Sequence, residues 1–244
     1  MADTQIKADL EAVAQTAAEL TVKTLNQAIA VHGQANWLLA GGTAPMGAYR
    51  LLASTYRDQV AWSKVVVAIG DERCVSFDSL DASWPLISQA LLEVVGLPLE
   101  HQLRPKSNLG AEEAAEEYGQ QLSSLIPEGS TVPHFDLVWL GMGEDGHTLS
   151  LFPEHLAFTN SEALVIPVHD SPKPPPDRIS LSLGALSNSS SCLIMATGSG
   201  KAEIIAKVFA GDTSLPINQA ASTIEVAGGK VTWLLDTAAA SLMQ

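Results

Sequence analysis

The sequence is short of cysteine, of positive charge and of long apolar runs. Its two cysteines, Cys74 and Cys192, among 244 residues match neither metal-ligand spacing nor a disulfide framework, and they read as reduced thiols of a cytosolic protein. Lysine and arginine number 13 against 27 acidic residues, a formal charge of −14. A chain this acidic argues against nucleic acid or an anionic membrane surface as partner, because both require a cationic face. No apolar stretch approaches the ~20 residues that span a bilayer. The N-terminal MADTQIKADLEAVAQ carries acids early and has no basic segment leading into an apolar one, so it does not read as a secretory signal. There is no repeat, low-complexity tract or convincing linker. The expected setting is the cytoplasm. The scarcity of cations also makes each one informative: an anionic substrate requires them to gather locally, against the field of the whole molecule.

What is present fits a soluble enzyme with a generous core, at 46% hydrophobic and 16% charged residues. The length sets a single α/β domain over residues 1–244 as the expectation, with a small inserted lobe as a variant. Residues 5–31 carry apolar positions at helical spacing and end at Gly33, predicting a long N-terminal helix. Strands are expected at 36–40 (NWLLA), 65–69 (VVVAI), 135–140, 163–168, 178–183, 192–196 and 231–235. Helices are expected from Pro45 to about Ser54, at 84–95, 110–126 and 201–209, and a short one closing the chain. The charged stretch GDERCVSFDSLD reads as a loop, and DSPKPPPD (170–177) as a stiff surface loop. Apolar strands without alternation, separated by helices, predict a mostly parallel, Rossmann-like sheet with helices on both faces.

In such a sheet, ligands bind beyond the carboxyl ends of the strands. After the first apolar strand comes Gly41-Gly42-Thr43, a turn that either holds a phosphate on free backbone N–H groups or places Thr43 as a helix cap. After VVVAIG comes Asp71-Glu72-Arg73, where the arginine suits bidentate phosphate binding and the alternative is a solvated loop with an internal ion pair. After FDLVWL comes GMGEDGH (141–147), which contains G-x-G-x-x-G. A dinucleotide turn also needs a helix running from the glycines and an acid ~20 residues on. Asp170 meets the second condition, but Pro153 follows Gly146 too closely for the first. After SCLIMA comes TGSGK (197–201). It fails the P-loop pattern because Met195 stands where that motif needs glycine and Ala202 where it needs Ser or Thr. It remains a helix N-terminus beside Lys201, suited to one phosphate. The summed strand ends point to a small phosphorylated substrate and one titratable group, His147. No metal site is supported: Glu144, Asp145 and His147 lack a second histidine at ligand spacing, and His155 and His169 could approach only through tertiary folding.

GGT-P at 41–45, GDERCV at 70–75, FDLVWLGMGEDGHTLSLFP at 135–153, SPKPPPDRISLSL at 171–183 and G-x-G-K at 198–201 resemble the 6-phosphogluconolactonase family, in the same order and over nearly the whole chain. The resemblance implies hydrolysis of 6-phospho-D-glucono-1,5-lactone in the oxidative pentose phosphate pathway. It implies no organic cofactor, a sugar phosphate lactone as the only partner, and the fold of sugar-phosphate isomerases and deaminases. A monomer is expected. The resemblance makes His147 the general base, puts Arg73 and Lys201 at the phosphate with Gly42 and Thr43 in the adjoining turn, and lines the pocket with Asp71, Asp145 and Arg178, of which Asp71 and Asp145 count with His147 as catalytic residues. One departure is Asp81-Ala82-Ser83, where the family commonly has Asp-Ser-Asn; if that asparagine holds the loop or the sugar, either Ser83 substitutes for it or affinity is reduced.

The chemistry suits these residues. Opening a lactone requires an activated water, and imidazole, with an ordinary pKa of ~6.5, accepts a proton near neutral pH. No serine lies in a G-x-S-x-G elbow. Two rivals remain. Amino-sugar phosphate deaminase-isomerases share GG-T-P and Asp-Gly-His with this chain, but continue to an Asn-Glu-Pro whose acid is replaced here by Leu151-Phe152 before Pro153. A non-catalytic sugar-phosphate binding module would keep Arg73 and Lys201 without needing His147.

Overall fold

The computed structural model describes residues 3–153 and 162–243. In chain order its strands are β1 (Asp3–Lys7), β2 (Ala35–Leu39), β3 (Val65–Ile69), β4 (Asp71–Arg73), β5 (Gln102–Leu103), β6 (Leu137–Gly141), β7 (Val165–Val168), β8 (Arg178–Leu181), β9 (Ser191–Ala196) and β10 (Lys230–Asp236). The helices are α1 (Leu10–His32), α2 (Met46–Ala53), α3 (Ser83–Ile87), α4 (Glu93–Val95), α5 (Ala111–Leu122), α6 (Ala202–Phe209) and α7 (Pro216–Val226), with a π-helical stretch at Ser88–Leu92 between α3 and α4. Seven strands form one sheet in the order β1-β10-β9-β6-β2-β3-β5, and every pairing in it is parallel. A separate antiparallel sheet has the order β4-β8-β7.

The composition explains the layering. All five residues of β3 (VVVAI) are buried, which requires cover on both faces and accounts for the absence of apolar–polar alternation. Burial continues through β2, β6 and β9, and Trp37, Trp139 and Tyr49 pack between sheet and helix with ring centroids 4.9–5.9 Å apart. The chain runs outward from β2 through β3 to β5, then restarts at β6 and runs the other way through β9 to β10, beyond which the N-terminal β1 forms the edge. Order therefore reverses between β2 and β6. Parallel strands diverging at that point leave a crevice beyond their carboxyl ends.

The mostly parallel α/β sheet is as expected, and several local expectations are corrected. The helix expected from residue 5 starts at Leu10: Asp9 caps it by accepting the Ala12 N–H at 2.9 Å, and Asp3–Lys7 instead pair with β10. The alanine-rich period hides that boundary, because nothing in the pattern of 5–9 reveals a strand partner more than two hundred residues away. Asp71–Arg73, read as loop, is β4, and it pairs with β8 from Arg73↔Arg178 to Asp71↔Ser180. Thr43 is not a helix cap: α2 begins after Pro45, without a side-chain cap hydrogen bond. No helix closes the chain among the described residues, since 237–242 are turns. The last helix is α7, which the periodicity does not announce and which Pro216 opens at its first turn. No helix is long and apolar enough to cross a membrane among the described residues.

Candidate active site

At the reversal of strand order lies a cavity of about 270 Å³. Its floor is the end of β2 (Gly41-Gly42-Thr43) and the end of β6 (Gly141-Met142-Gly143), and its walls carry Asp71, Arg73, His147, Lys173, Arg178 and Lys201. Two buried tyrosines fix the strand ends that lead into it. The Tyr49 hydroxyl from α2 donates to the Ala40 carbonyl at 2.9 Å and accepts the Ala40 N–H at 3.1 Å. Tyr118 from α5 treats Ile69 in the same way, at 2.8 and 2.7 Å. Each pair satisfies a backbone position just where the sheet ladder stops. Burial pushes both phenols well above their ordinary pKa, so they remain neutral donors.

The glycine string after β6 wraps a histidine. A Cβ on Gly143 would lie 2.0 Å from His147 Nδ1, so only a residue without a side chain allows the imidazole to fold back over this turn. The turn is closed by Gly143 N–H to His147 C=O at 2.8 Å. His147 Nδ1 lies 2.5 Å from Asp145 Oδ1. Burial raises the Asp145 pKa, but the hydrogen bond and charge of His147, with help from Lys173, outweigh it and hold the carboxyl far below its ordinary range. An ionised Asp145 accepts Nδ1–H and leaves the lone pair on Nε2. The ring is half-sandwiched by Phe152, 1% exposed, at a centroid distance of 4.5 Å.

The opposite wall comes from the small sheet. Asp71 accepts the Ser150 hydroxyl at 2.6 Å. Glu72, pointing the other way, is 1% exposed and accepts three backbone N–H groups, from Arg73, Ser83 and Trp84, at 2.6–2.8 Å. It thereby ties β4 to the start of α3. Burial pushes its pKa up, opposed by those three donors. The Arg73 guanidinium reaches the Asp81 carbonyl, and among the described residues it makes no ion pair within 4 Å. Lys201 is likewise without an ion pair to the described residues; burial lowers its pKa, against the pull of Glu144.

All but one of the residues singled out in the sequence reach the cavity wall: Gly42, Thr43, Asp71, Arg73, His147, Arg178 and Lys201. Asp145 stands behind His147 instead. Arg178 lines the cavity but spends most of its donors on the backbone, to the carbonyls of Lys173, Pro174 and Pro175 at 2.8–3.1 Å. Ser83 lines the cavity, with its N–H on Glu72. Sequence reasoning missed Lys173. It sits in the loop read as plain surface, and its ammonium lies 3.3 Å from Asp145 Oδ2 and 3.4 Å from His147 Nδ1. The available signal was a lysine among prolines, in a chain with few cations. His155 lies outside the described residues, and His169 pairs with Glu112 and Asp177 on the surface. Among the described residues no group of three or more His, Cys, Asp or Glu side chains is arranged to hold a metal ion.

Residues 8–233 match the family described as glucosamine-6-phosphate isomerases/6-phosphogluconolactonase. The chain belongs to that family. It is 35% identical over 243 residues to the 6-phosphogluconolactonase of Mycobacterium bovis, covering 97% of this chain and 96% of that one. It is 38% identical over 173 residues to the human 6-phosphogluconolactonase, covering 71% of this chain and 66% of the human one. The structure of 6-phosphogluconolactonase from Trypanosoma brucei superposes with a TM-score of 0.86 at 26% identity, over 100% of this chain and 99% of that one.

Proposed function

We propose that this chain is a lactone-hydrolysing enzyme that converts 6-phospho-D-glucono-1,5-lactone to 6-phospho-D-gluconate, a step of the oxidative pentose phosphate pathway. The observation that carries the reading is a single cavity holding an Asp145-oriented imidazole together with two cations, Arg73 and Lys201, that have no carboxylate within 4 Å among the described residues. In a molecule of net charge −14, such cations attract one anionic substrate locally. Held by its phosphate, the lactone presents C1 to the imidazole. His147 Nε2 takes a proton from water as the oxygen attacks C1, then returns it to the ring oxygen as the C1–O bond breaks. Binding energy gathered at the phosphate orients the carbonyl without acting on it directly. Asp71, across the cavity, is placed to accept a hydroxyl of the sugar, and Gly42-Thr43 offer N–H and hydroxyl donors beside the phosphate.

The amino-sugar deaminase reading needs a carboxylate where Phe152 stands, and that buried ring packs on His147 instead. A monomer working in the cytoplasm belongs to the same proposal. The test is a coupled assay for 6-phosphogluconate from freshly made lactone, corrected for spontaneous hydrolysis, beside an assay for ammonia release from glucosamine 6-phosphate. Lactone decay equal to the blank rejects the proposal.

A further inference from the structure

The loop between β7 and β8 is built to a tighter specification than a connection needs. Its neck is closed by His169 Nδ1 to Asp177 Oδ1 at 2.9 Å and tied to α5 through His169 Nε2 to Glu112 at 2.9 Å. Inside it, the backbone of Lys173 is held from both sides. The Ser171 hydroxyl donates to the Lys173 carbonyl at 2.9 Å and accepts its N–H at 3.3 Å, and Arg178 gathers the carbonyls of 173, 174 and 175. All this fixes one feature that reaches the site, the Lys173 side chain, whose ammonium meets both Asp145 Oδ2 and His147 Nδ1.

A carboxylate hydrogen-bonded to an imidazole favours the protonated ring, and a cation at similar distance disfavours it. A general base must be unprotonated to work. The charged groups around His147 are Asp145 on its own loop, Lys173 on the β7–β8 loop, Asp71 and Arg73 on β4, Arg178 on β8 and Lys201 before α6. Of these, only Asp145 and Lys173 are in contact with the ring nitrogen among the described residues.

We propose that Lys173 is a positioning residue for the base: its ammonium, seated against both Asp145 and His147, offsets the carboxylate's charge at the ring and keeps the imidazole free to accept a proton. The inference rests on the lactonase reading of the same site. Side-chain exposures of 45% for Lys173 and 37% for Asp145 leave solvent screening in play, so the effect is modest and weakens further with salt.

The experiment compares wild type, Lys173→Gln and Lys173→Arg in two ways. One is kcat/KM for the lactone from about pH 5 to about pH 8.5; the other is a proton NMR titration of the His147 ring without substrate, its signal identified by its loss in His147→Gln. In Lys173→Gln the acidic limb and the ring's midpoint should both move to higher pH, with a rate loss that grows toward the acidic end of the range and disappears on the alkaline plateau. Lys173→Arg should restore both. An unmoved or lowered midpoint in folded Lys173→Gln overturns the proposal, as does an equal rate loss at every pH, which would assign Lys173 to substrate binding. A wild type without lactonase activity would reject the functional reading alone, because the NMR arm still reports on the ring.

Discussion

Gly143 and His147 illustrate how a residue's neighbours set its chemistry. The imidazole folds over a position where any Cβ would overlap it, while Asp145 fixes which nitrogen faces the cavity. Gly143→Ala should therefore displace the ring by a fraction of an ångström or more. Activity should fall by roughly 10–100-fold, as misplacement of a reacting group implies, with the fold retained by circular dichroism. His147→Ala should lower kcat by about 10²–10⁴-fold with little change in KM, the expected loss for a general base. Arg73→Ala should mainly raise KM, by about tenfold or more if a charge-assisted bond of ~1.5–3 kcal/mol to the phosphate is lost. Steady-state kinetics on the lactone separates the two. Full turnover by His147→Ala would remove it from the mechanism.

Elements are held at the site by buried polar side chains whose roles are invisible in a hydrophobic pattern. Tyr49, Tyr118 and Glu72 each satisfy backbone groups where a strand or helix begins or ends. Glu72 is the most exacting, because its two oxygens accept three N–H donors and a glutamine supplies only one acceptor oxygen. Glu72→Gln should cost about 1–3 kcal/mol through an unsatisfied buried donor, a loss of roughly 2–12 °C in Tm for a chain of this size. Because the α3 start and Arg73 then loosen together, KM should rise more than kcat falls. An unchanged Tm would show that β4 and α3 do not depend on this carboxylate. The strands of the main sheet were legible because buried parallel strands are continuous apolar runs. β4 was not, because DER carries three charges and becomes a strand only by pairing with β8.

Across the whole molecule, the two ends of the described chain meet: β1 lies parallel to β10 in register from Asp3↔Thr232 to Lys7↔Asp236. The small sheet shares its core with the large one through Val165, Ile179 and Leu181. Removing residues 1–8 should cost roughly 2–3 kcal/mol in lost ladder bonds and expose the β10 edge to other chains. Calorimetry should show a lower Tm in a single transition, and light scattering more association; two separate transitions would mean that the sheets unfold independently. The sequence by itself determined the layered parallel fold and the strand-end loops that carry Thr43, His147 and Lys201, because continuous burial and local turn chemistry are written in neighbouring residues. Only the tertiary structure decided that Asp145 stands behind the ring, that Arg178 is largely a clamp on the backbone and that Lys173 reaches the base. Those relations join residues 26 and more apart in the chain, or depend on which face of a turn a side chain leaves, and neither composition nor period encodes a distance through space.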